Sequence, residues 1–203
     1  MGGCSSLPYD AEVEYLSSNN AAAFTMPADF DKIQFRIKFN NSAANDLKIF
    51  GNSCAYEHWK MLACYKSTYR GTRIPTSNNV WDTVTMESGS LTVEREGGST
   101  YTASSWWMQY NGATDTQYGT IMPFFYIIAS NGTWVNGNKI GSSPSYAIFV
   151  NSVKTWKSGT LQCDYIPVRK GSVGYMYDNV SGQLFGNINA DQSDRYFGFG
   201  ADV

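Results

Sequence analysis

Two pairs of glutamates are the residues whose spacing comes nearest to a hydrolytic site. Glu12 and Glu14 alternate in one segment, and Glu94 and Glu96 alternate in another. Retaining glycoside hydrolysis needs two carboxyl groups about 5 to 5.5 Å apart, and alternation along a strand places side chains on one face of a sheet. No third acidic residue continues the alternation of the first pair. Two glycines directly follow the second pair and predict a turn there. We therefore expect all four to be solvated surface acids.

The other residue types that drive catalysis lack their usual partners. His58 is the single histidine, and the sequence contains no serine-centred G-x-S-x-G motif. The cysteines include no C-x-x-C pair, so zinc-ligand spacing is absent. We expect a protein without enzymatic activity, whose thiols are free and mostly buried. Pairing of Cys54 with Cys64 across a hairpin remains open. The four cysteines are Cys4, Cys54, Cys64 and Cys163.

Calcium is the one metal for which the sequence offers candidate ligands. Aspartates occur in predicted loops, where carboxylate and carbonyl oxygens could bind calcium. They do not follow the spacing of an EF-hand loop. We therefore expect no cofactor and no metal site, with bound calcium as an open alternative. These aspartates are Asp115, Asp178, Asp191 and Asp194.

Aromatic residues supply the candidate ligand or interface site. They concentrate in a predicted loop, residues 104–119, together with polar side chains that could bond sugar hydroxyls. One interpretation is a glycan platform with ring faces that stack on sugars. The other, which we favour, is packing in the core or at a subunit contact, since aromatic residues are enriched at interfaces. The candidates are Trp106, Trp107, Tyr110, Asn111, Asp115, Gln117, Tyr118 and Trp134.

The charge balance excludes two classes of partner. The 203 residues include 15 Lys and Arg against 17 Asp and Glu, a net charge of −2. A protein that binds nucleic acid or an anionic membrane would carry a basic patch. No apolar run approaches the roughly 20 residues of a membrane span, and the first ten residues lack the apolar segment of a signal peptide. We expect no nucleic-acid partner, no membrane partner and no secretion signal.

Short strands separated by turns are the main structural pattern. Residues 31–39 alternate apolar and polar side chains, which predicts a strand with one buried and one wet face. Residues 123–129 form a continuous apolar run that predicts a central strand, and residues 59–69 are ambiguous but favour a strand. No segment shows a convincing amphipathic helix, so the fold class is all-β. Six residues are predicted in the core: Phe35, Ile37, Phe125, Ile127, Val173 and Tyr175.

The most informative segment is residues 164–187. Gly171 can adopt the positive φ that a chain reversal needs. The polar run that ends at Gly182 lies between two β-prone runs and predicts a hairpin with Gly182 in the left-handed region. Pro167 has no N–H to donate, so its strand is expected at a sheet edge or with a bend.

The two ends of the chain resemble a known family. Residues 166–187 read IPVRKGSVGYMYDNVSGQLFGN and resemble the closing segment of LamG-like (concanavalin A-like) jelly-roll domains. Such domains recur in surface and virion proteins of tailed phages and prophages of gut Bacteroidales. Residues 7–18 read LPYDAEVEYLSS and resemble the first strand of that family. Between these ends the resemblance is one of strand rhythm.

The resemblance implies a two-sheet antiparallel jelly-roll sandwich, with residues 1–8 as a short N-terminal arm and residues 9–203 as a single domain. It implies a non-enzymatic virion protein of a tailed phage, such as a head decoration, head fibre or tail component, assembled in the host cytoplasm. The expected partners are other virion proteins or further copies of the chain, with host glycans as a second ligand. The alternative is a secreted lectin-like adhesin of a gut bacterium, which would need a secretion signal.

Overall fold

The described part of the molecule consists of β-strands and their connections. The computed structural model describes residues 7–18, 23–26, 30–39, 47–53, 59–64, 79–87, 90–104, 114–115, 119–120, 124–126, 148–187 and 197–203. No helix occurs within these ranges. The predicted all-β class is therefore confirmed, whereas the two-sheet jelly-roll arrangement and the arm at residues 1–8 stay predictions.

The strands are numbered in chain order. They are β1 Ala11–Glu12, β2 Leu16–Ser18, β3 Ala23–Thr25, β4 Lys32–Phe39, β5 Leu47–Ser53, β6 Trp59–Cys64, β7 Trp81–Glu87, β8 Ser90–Arg95, β9 Thr100–Ser104, β10 Thr114–Asp115, β11 Gly119–Thr120, β12 Phe124–Tyr126, β13 Ile148–Lys157, β14 Thr160–Lys170, β15 Val173–Asp178, β16 Gln183–Phe185 and β17 Phe197–Phe199.

Most strands belong to one large antiparallel sheet. Its order is β1-β14-β15-β17-β2-β13-β4-β7-β8-β9, with β16 paired to β15. A second sheet has the order β3-β12-β5-β6, and β10 pairs with β11. The strand predicted in residues 59–69 is confirmed for residues 59–64 by β6, and the remainder lies outside the described residues. The central strand predicted in residues 123–129 is confirmed for residues 124–126 by β12, which pairs with β3 on one side and β5 on the other.

Part of the large sheet closes on itself. One edge of β13 pairs with β2 at Val150 and then with β14 from Val153 onwards. From β14 the pairing continues through β15 and β17 back to β2. These five strands therefore form a closed circuit around part of the core, while β4, β7, β8 and β9 extend the sheet from the other edge of β13.

The core lies on one face of the large sheet. In β4 the apolar residues Ile33, Phe35, Ile37 and Phe39 are fully buried, and the side chains between them are half-buried. This confirms the predicted alternation and the predicted burial of two core residues. Phe24 of the second sheet adds its ring, whose centroid lies 5.3 Å from that of Tyr165.

The closing hairpin adopts the predicted turns. Gly171 and Gly182 both have positive φ, at 59° and 71°. The Asp178 carboxylate accepts the N–H groups of Asp164, Val180 and Ser181 at 2.8, 3.1 and 3.2 Å. These three bonds use the oxygens of Asp178 to hold the turn, which makes this aspartate a poor calcium ligand.

The predicted face of β15 is wrong. Val173 and Tyr175 are half-buried, and the inward positions are Gly174, Met176 and Asp178. Gly174 explains the choice, because an added Cβ would lie 2.7 Å from Leu16 Cδ2 and 3.0 Å from the Phe197 carbonyl oxygen. β15 therefore places Gly174, which has no side chain, against the closely packed β2 and β17. Of the other predicted core residues, Phe125 is described by its backbone alone and Ile127 lies outside the described residues.

Of the two alternatives predicted for Pro167, the sheet edge is wrong, and a bend at this residue stays a prediction. β14 is flanked by β15 on one side, where Pro167 faces Met176. On the other side β14 pairs with β13 up to Tyr165 and with β1 from Val168 onwards. An antiparallel residue directs its N–H and C=O to the same side. The missing N–H of Pro167 therefore falls at this change of neighbour, while its carbonyl accepts the Val13 N–H at 3.0 Å.

Candidate contact surface

Of the eight predicted site residues, the described ranges contain Asp115 alone. Asp115 belongs to the two-residue strand β10, where its backbone pairs with Gly119. The others lie outside the described residues: Trp106, Trp107, Tyr110, Asn111, Gln117, Tyr118 and Trp134. Whether they bind a glycan or a protein stays a prediction.

A different aromatic cluster lies on the outer side of the large sheet. The Lys38 Nζ lies 4.6 Å from the centroid of the Trp81 ring, 5.3 Å from that of Phe149 and 5.4 Å from that of Tyr15. The Tyr15 and Phe149 rings meet edge to face, with centroids 4.7 Å apart. All four side chains are half-buried. We call the surface formed by Tyr15, Lys38, Trp81 and Phe149 the aromatic face.

Strand register builds this face. Lys38 is directly opposite Trp81 of β7 and directly opposite Phe149 of β13, so the three form a row across three strands. Directly opposed side chains on one face of an antiparallel pair are about 4.5–5.5 Å apart at Cβ. All three point away from the core, because Ile37 and Phe39 on either side of Lys38 are buried.

Tyr15 joins the row from outside the regular strands. Its carbonyl accepts the Gly200 N–H at 3.0 Å. An added Cβ at Gly200 would lie 2.8 Å from Cε1 of the tyrosine ring. Gly200 therefore provides the space in which the ring lies. Contact between the two ends of the described chain thus completes the aromatic face.

Arg36 forms the rim of the face. Its guanidinium carbon lies 5.2 Å from the Trp81 ring centroid, and Nη2 donates to Glu96 Oε2 at 3.2 Å. The predicted solvation of Glu96 is confirmed, since its side chain is 61% exposed. Glu12, Glu14 and Glu94 are exposed as well.

The one charged residue of the face, Lys38, has no ion-pair partner within the described residues. Lys38 contacts aromatic rings, while the neighbouring cations Lys32 and Arg36 bind Glu87 and Glu96. The face therefore holds an ammonium group for which the described residues supply no carboxylate.

The chemistry of the face suits contact with another protein. Trp, Tyr and Arg are the residue types that dominate binding energy at protein interfaces. Sugar stacking requires an open ring face, but two cations lie over the Trp81 ring, and each such contact is worth about 0.5–1 kcal/mol at exposed sites. A sugar would have to displace them.

A buried thiol lies on the other side of the sheet. Cys163 is 4% exposed, opposite Thr155 and near the fully buried Tyr165. Burial raises the pKa of the Cys163 thiol. The reactive thiolate is therefore disfavoured, and Cys163 does not resemble an activated nucleophile. The predicted free, buried state is confirmed for this cysteine.

The comparisons with known proteins add no relative. No family model, curated protein or solved structure matches this chain. Within the described ranges, no group of three or more His, Cys, Asp or Glu side chains could hold a metal ion. The same ranges contain no helix long and apolar enough to cross a membrane.

Sequence reasoning missed the aromatic face because its members are far apart in the chain. The alternation in β4 places Lys38 on the outer side, and that part was predictable. Which residues flank Lys38 depends on the pairing of β4 with β7 and β13. A useful signal would have been an aromatic residue at an outward position in several strands.

Proposed function

We propose that this chain is a non-enzymatic protein that acts through contact with other proteins, as a surface or structural component of a tailed-phage virion. The observation that supports contact is the aromatic face, where Lys38 lies among three rings on the outer side of the sheet. A half-buried group of this composition is typical of a binding surface. The virion context rests on the resemblance of residues 7–18 and 166–187 to LamG-like domains of phages.

The absence of enzymatic activity is part of the proposal. Glu96 binds Arg36, and the Tyr9 hydroxyl donates to Glu12 at 3.3 Å. Both acidic pairs thus have a member engaged in a surface contact that needs no substrate. The thiol of Cys163 is buried and disfavoured as a thiolate.

The rival function is that of a lectin-like adhesin. It would use exposed aromatic rings to stack on sugars, either in the loop at residues 104–119 or on the aromatic face. On the face, the cations over Trp81 oppose this use. The two functions therefore predict different ligands for the same surface.

Particle labelling tests the virion context. The chain is produced together with the genes that flank it, and particles released by lysis are purified and labelled with a gold-coupled antibody against the chain. We expect label on intact particles at regular positions. Particles free of label, with the chain recovered in the soluble fraction, would contradict the proposal.

Substitution of Trp81 tests whether the face makes the contact. Trp81→Ala is expected to remove the label from particles while the chain remains folded by circular dichroism. Trp156→Ala is the matched control, because Trp156 is also half-buried with a cation, Lys32 Nζ, 5.3 Å from its ring centroid. It lies opposite Lys32, at the other end of β4 from Lys38. Saturable binding on a glycan array that Trp81→Ala abolishes would favour the adhesin.

A further inference from the structure

From the charge at the centre of the aromatic face we infer that its occupant is an acidic segment of another protein. In this contact an Asp or Glu carboxylate of the partner binds the Lys38 ammonium, and apolar side chains beside it pack on the Tyr15, Trp81 and Phe149 rings. This inference rests on the proposed function, since it names the chemistry of the partner at the same surface.

Lys38 differs from other half-buried cations of the chain in what it binds. Among the described residues, five other half-buried cations each bind a carboxylate, with nitrogen–oxygen distances from 2.6 to 3.2 Å. These five are Lys32, Arg36, Arg95, Lys154 and Arg169. Lys38 is half-buried as well, but the described residues give its ammonium three ring contacts and no carboxylate. A counter-charge for Lys38 therefore has to come from another molecule.

The surroundings of the Lys38 ammonium strengthen an ion pair made there. The Trp81, Phe149 and Tyr15 ring centroids lie 4.6, 5.3 and 5.4 Å from Nζ, and all four residues are half-buried. Coulomb attraction grows as the effective dielectric constant falls, so a carboxylate gains more beside these rings than in open water. Apolar side chains next to that carboxylate gain burial against the rings. The face therefore favours a carboxylate carried by an apolar segment.

The neighbouring cations limit the occupant to one negative charge. Lys32 and Arg36 lie on the same side of β4 as Lys38, and they bind Glu87 and Glu96. Among the described residues, this side of β4 thus presents one positive charge without a carboxylate, at the end where the rings lie. A single carboxylate matches that charge, whereas a long run of negative charges would meet the two glutamates.

Other classes of ligand fit this charge distribution less well. A nucleic acid or a polyuronic glycan carries a negative charge on every unit, so most of its charges would meet no free cation along β4. A neutral glycan would supply no counter-charge for Lys38 and would compete with the cations over Trp81. An acidic side chain in an apolar protein segment satisfies the ammonium and the rings together. Aromatic side chains at the centre of such an interface provide much of its binding energy.

Peptide selection tests this inference. The purified chain selects binders from a displayed library of short random-sequence peptides, and each binder is tested again on Trp81→Ala and on the control Trp156→Ala. We expect the peptides that lose binding on Trp81→Ala alone to be enriched in Asp or Glu next to apolar residues. Lys38→Gln should bind the tightest of these acidic peptides roughly tenfold more weakly, since it removes one member of a partly buried ion pair.

Reciprocal changes assign the contact to one pair of charges. Replacement of the peptide carboxylate by its amide should weaken binding to the wild type and have little effect on Lys38→Gln, because the two groups are coupled. Lys38→Arg keeps the charge and should retain binding. Lys38→Glu should instead prefer the peptide in which Lys replaces the acid. Lys170→Glu is the matched control, because Lys170 is exposed at the end of β14 and its reversal changes the net charge equally. Circular dichroism checks folding, and Lys38→Gln carries the test if Lys38→Glu is not folded.

Four outcomes would overturn the inference: no peptide that depends on Trp81, Trp81-dependent peptides without acidic enrichment, equal binding of the acidic peptide by the wild type and Lys38→Gln, or binding of the polyuronate alginate in place of acidic peptides. Labelled particles that lose their label on Trp81→Ala but keep it on Lys38→Gln would also overturn it and leave the proposed function standing. Unlabelled particles, with the coupling between Lys38 and the peptide carboxylate intact, would contradict the virion context and leave the acidic partner in place.

Discussion

Arg95 binds the carboxylate of Asp82 with two donors, Nε to Oδ1 at 3.0 Å and Nη2 to Oδ2 at 3.2 Å. The two residues face each other across β7 and β8. The Asp82 side chain is completely buried and that of Arg95 is 23% exposed. Burial raises the pKa of Asp82, and the bond and charge of Arg95 act in the opposite direction. The ion pair therefore offsets part of the free-energy cost of burying the Asp82 charge at the end of the core face.

Removal of Arg95 should be costly and dependent on pH. Arg95→Met leaves the Asp82 carboxylate buried without its cation, which we expect to lower the free energy of unfolding by about 3 kcal/mol at neutral pH, the low end for a broken buried pair. A pKa raised in the folded state means that the folded form binds the proton more tightly. The difference in unfolding free energy between Arg95→Met and the wild type should therefore shrink as the pH falls through the raised pKa of Asp82. Denaturant unfolding of both proteins at neutral and acidic pH measures this difference.

The double variant Asp82→Asn, Arg95→Met controls for packing. It removes the buried charge together with its partner, so it should be more stable than Arg95→Met at neutral pH. An equal loss for Arg95→Met at both pH values would show that the ion pair does not explain the cost.

Gly174 is expected to tolerate no side chain. An added Cβ would lie 3.0 Å from the Phe197 carbonyl oxygen and 2.7 Å from Leu16 Cδ2. Backbone cannot move aside as a flexible side chain can, so Gly174→Ala should cost about 1–3 kcal/mol, as overpacking does. Gly186→Ala is the control, because its Cβ would make an ordinary 3.4 Å contact with the Tyr175 ring. Equal melting temperatures for the two variants would argue against close packing at Gly174.

The inward face of β15 can be tested by a pair of truncations. Met176 is fully buried, so Met176→Ala should cost about 2–5 kcal/mol. Val173 is half-buried on the opposite face, and Val173→Ala should cost about 1 kcal/mol or less, given ~0.8 kcal/mol per buried methylene. Urea unfolding of both variants measures the difference. A larger loss of stability for Val173→Ala than for Met176→Ala would contradict the inward position of Met176 and favour the face predicted from the sequence.

The C-terminal contact should respond to acid. Arg169 donates to both carboxylate oxygens of Asp202 at 2.6 Å, and this bond lowers the pKa of Asp202. A lowered pKa contributes stability above the unfolded-state pKa that is lost as the pH falls through the folded-state pKa. Carbon NMR titration of the Asp202 carboxyl should show a pKa below its usual range.

Arg169→Lys tests the geometry of that contact. Lysine keeps the charge but cannot form the two parallel bonds of a guanidinium. The pKa of Asp202 should therefore rise toward its usual value in the variant. An unchanged Asp202 titration would mean that charge alone, without the paired bonds, lowers the pKa.

The sequence predicted local structure correctly where a residue's environment depends on its neighbours in the chain. The alternation in β4 predicted both the strand and the burial of Phe35 and Ile37. The positive φ of Gly171 and Gly182 followed from turn chemistry. The inward face of β15 could not be predicted in this way. Val173 and Tyr175 alternate with Gly174 and Met176, and both sets contain an apolar residue. The aromatic bias of a strand does not tell which side faces the core when both sides are apolar.

The sequence by itself determined the all-β class, the strand of residues 32–39 and the turns of the closing hairpin, because these depend on backbone preferences and on side chains two to four residues apart. Tertiary structure decided which side of β15 faces inward, where Pro167 lies and which rings surround Lys38. Each of these depends on residues distant in the chain: Leu16 and Phe197 against Gly174, and Trp81 and Phe149 beside Lys38. Strand register brings such residues together, and a one-residue change of register would turn every side chain to the other face.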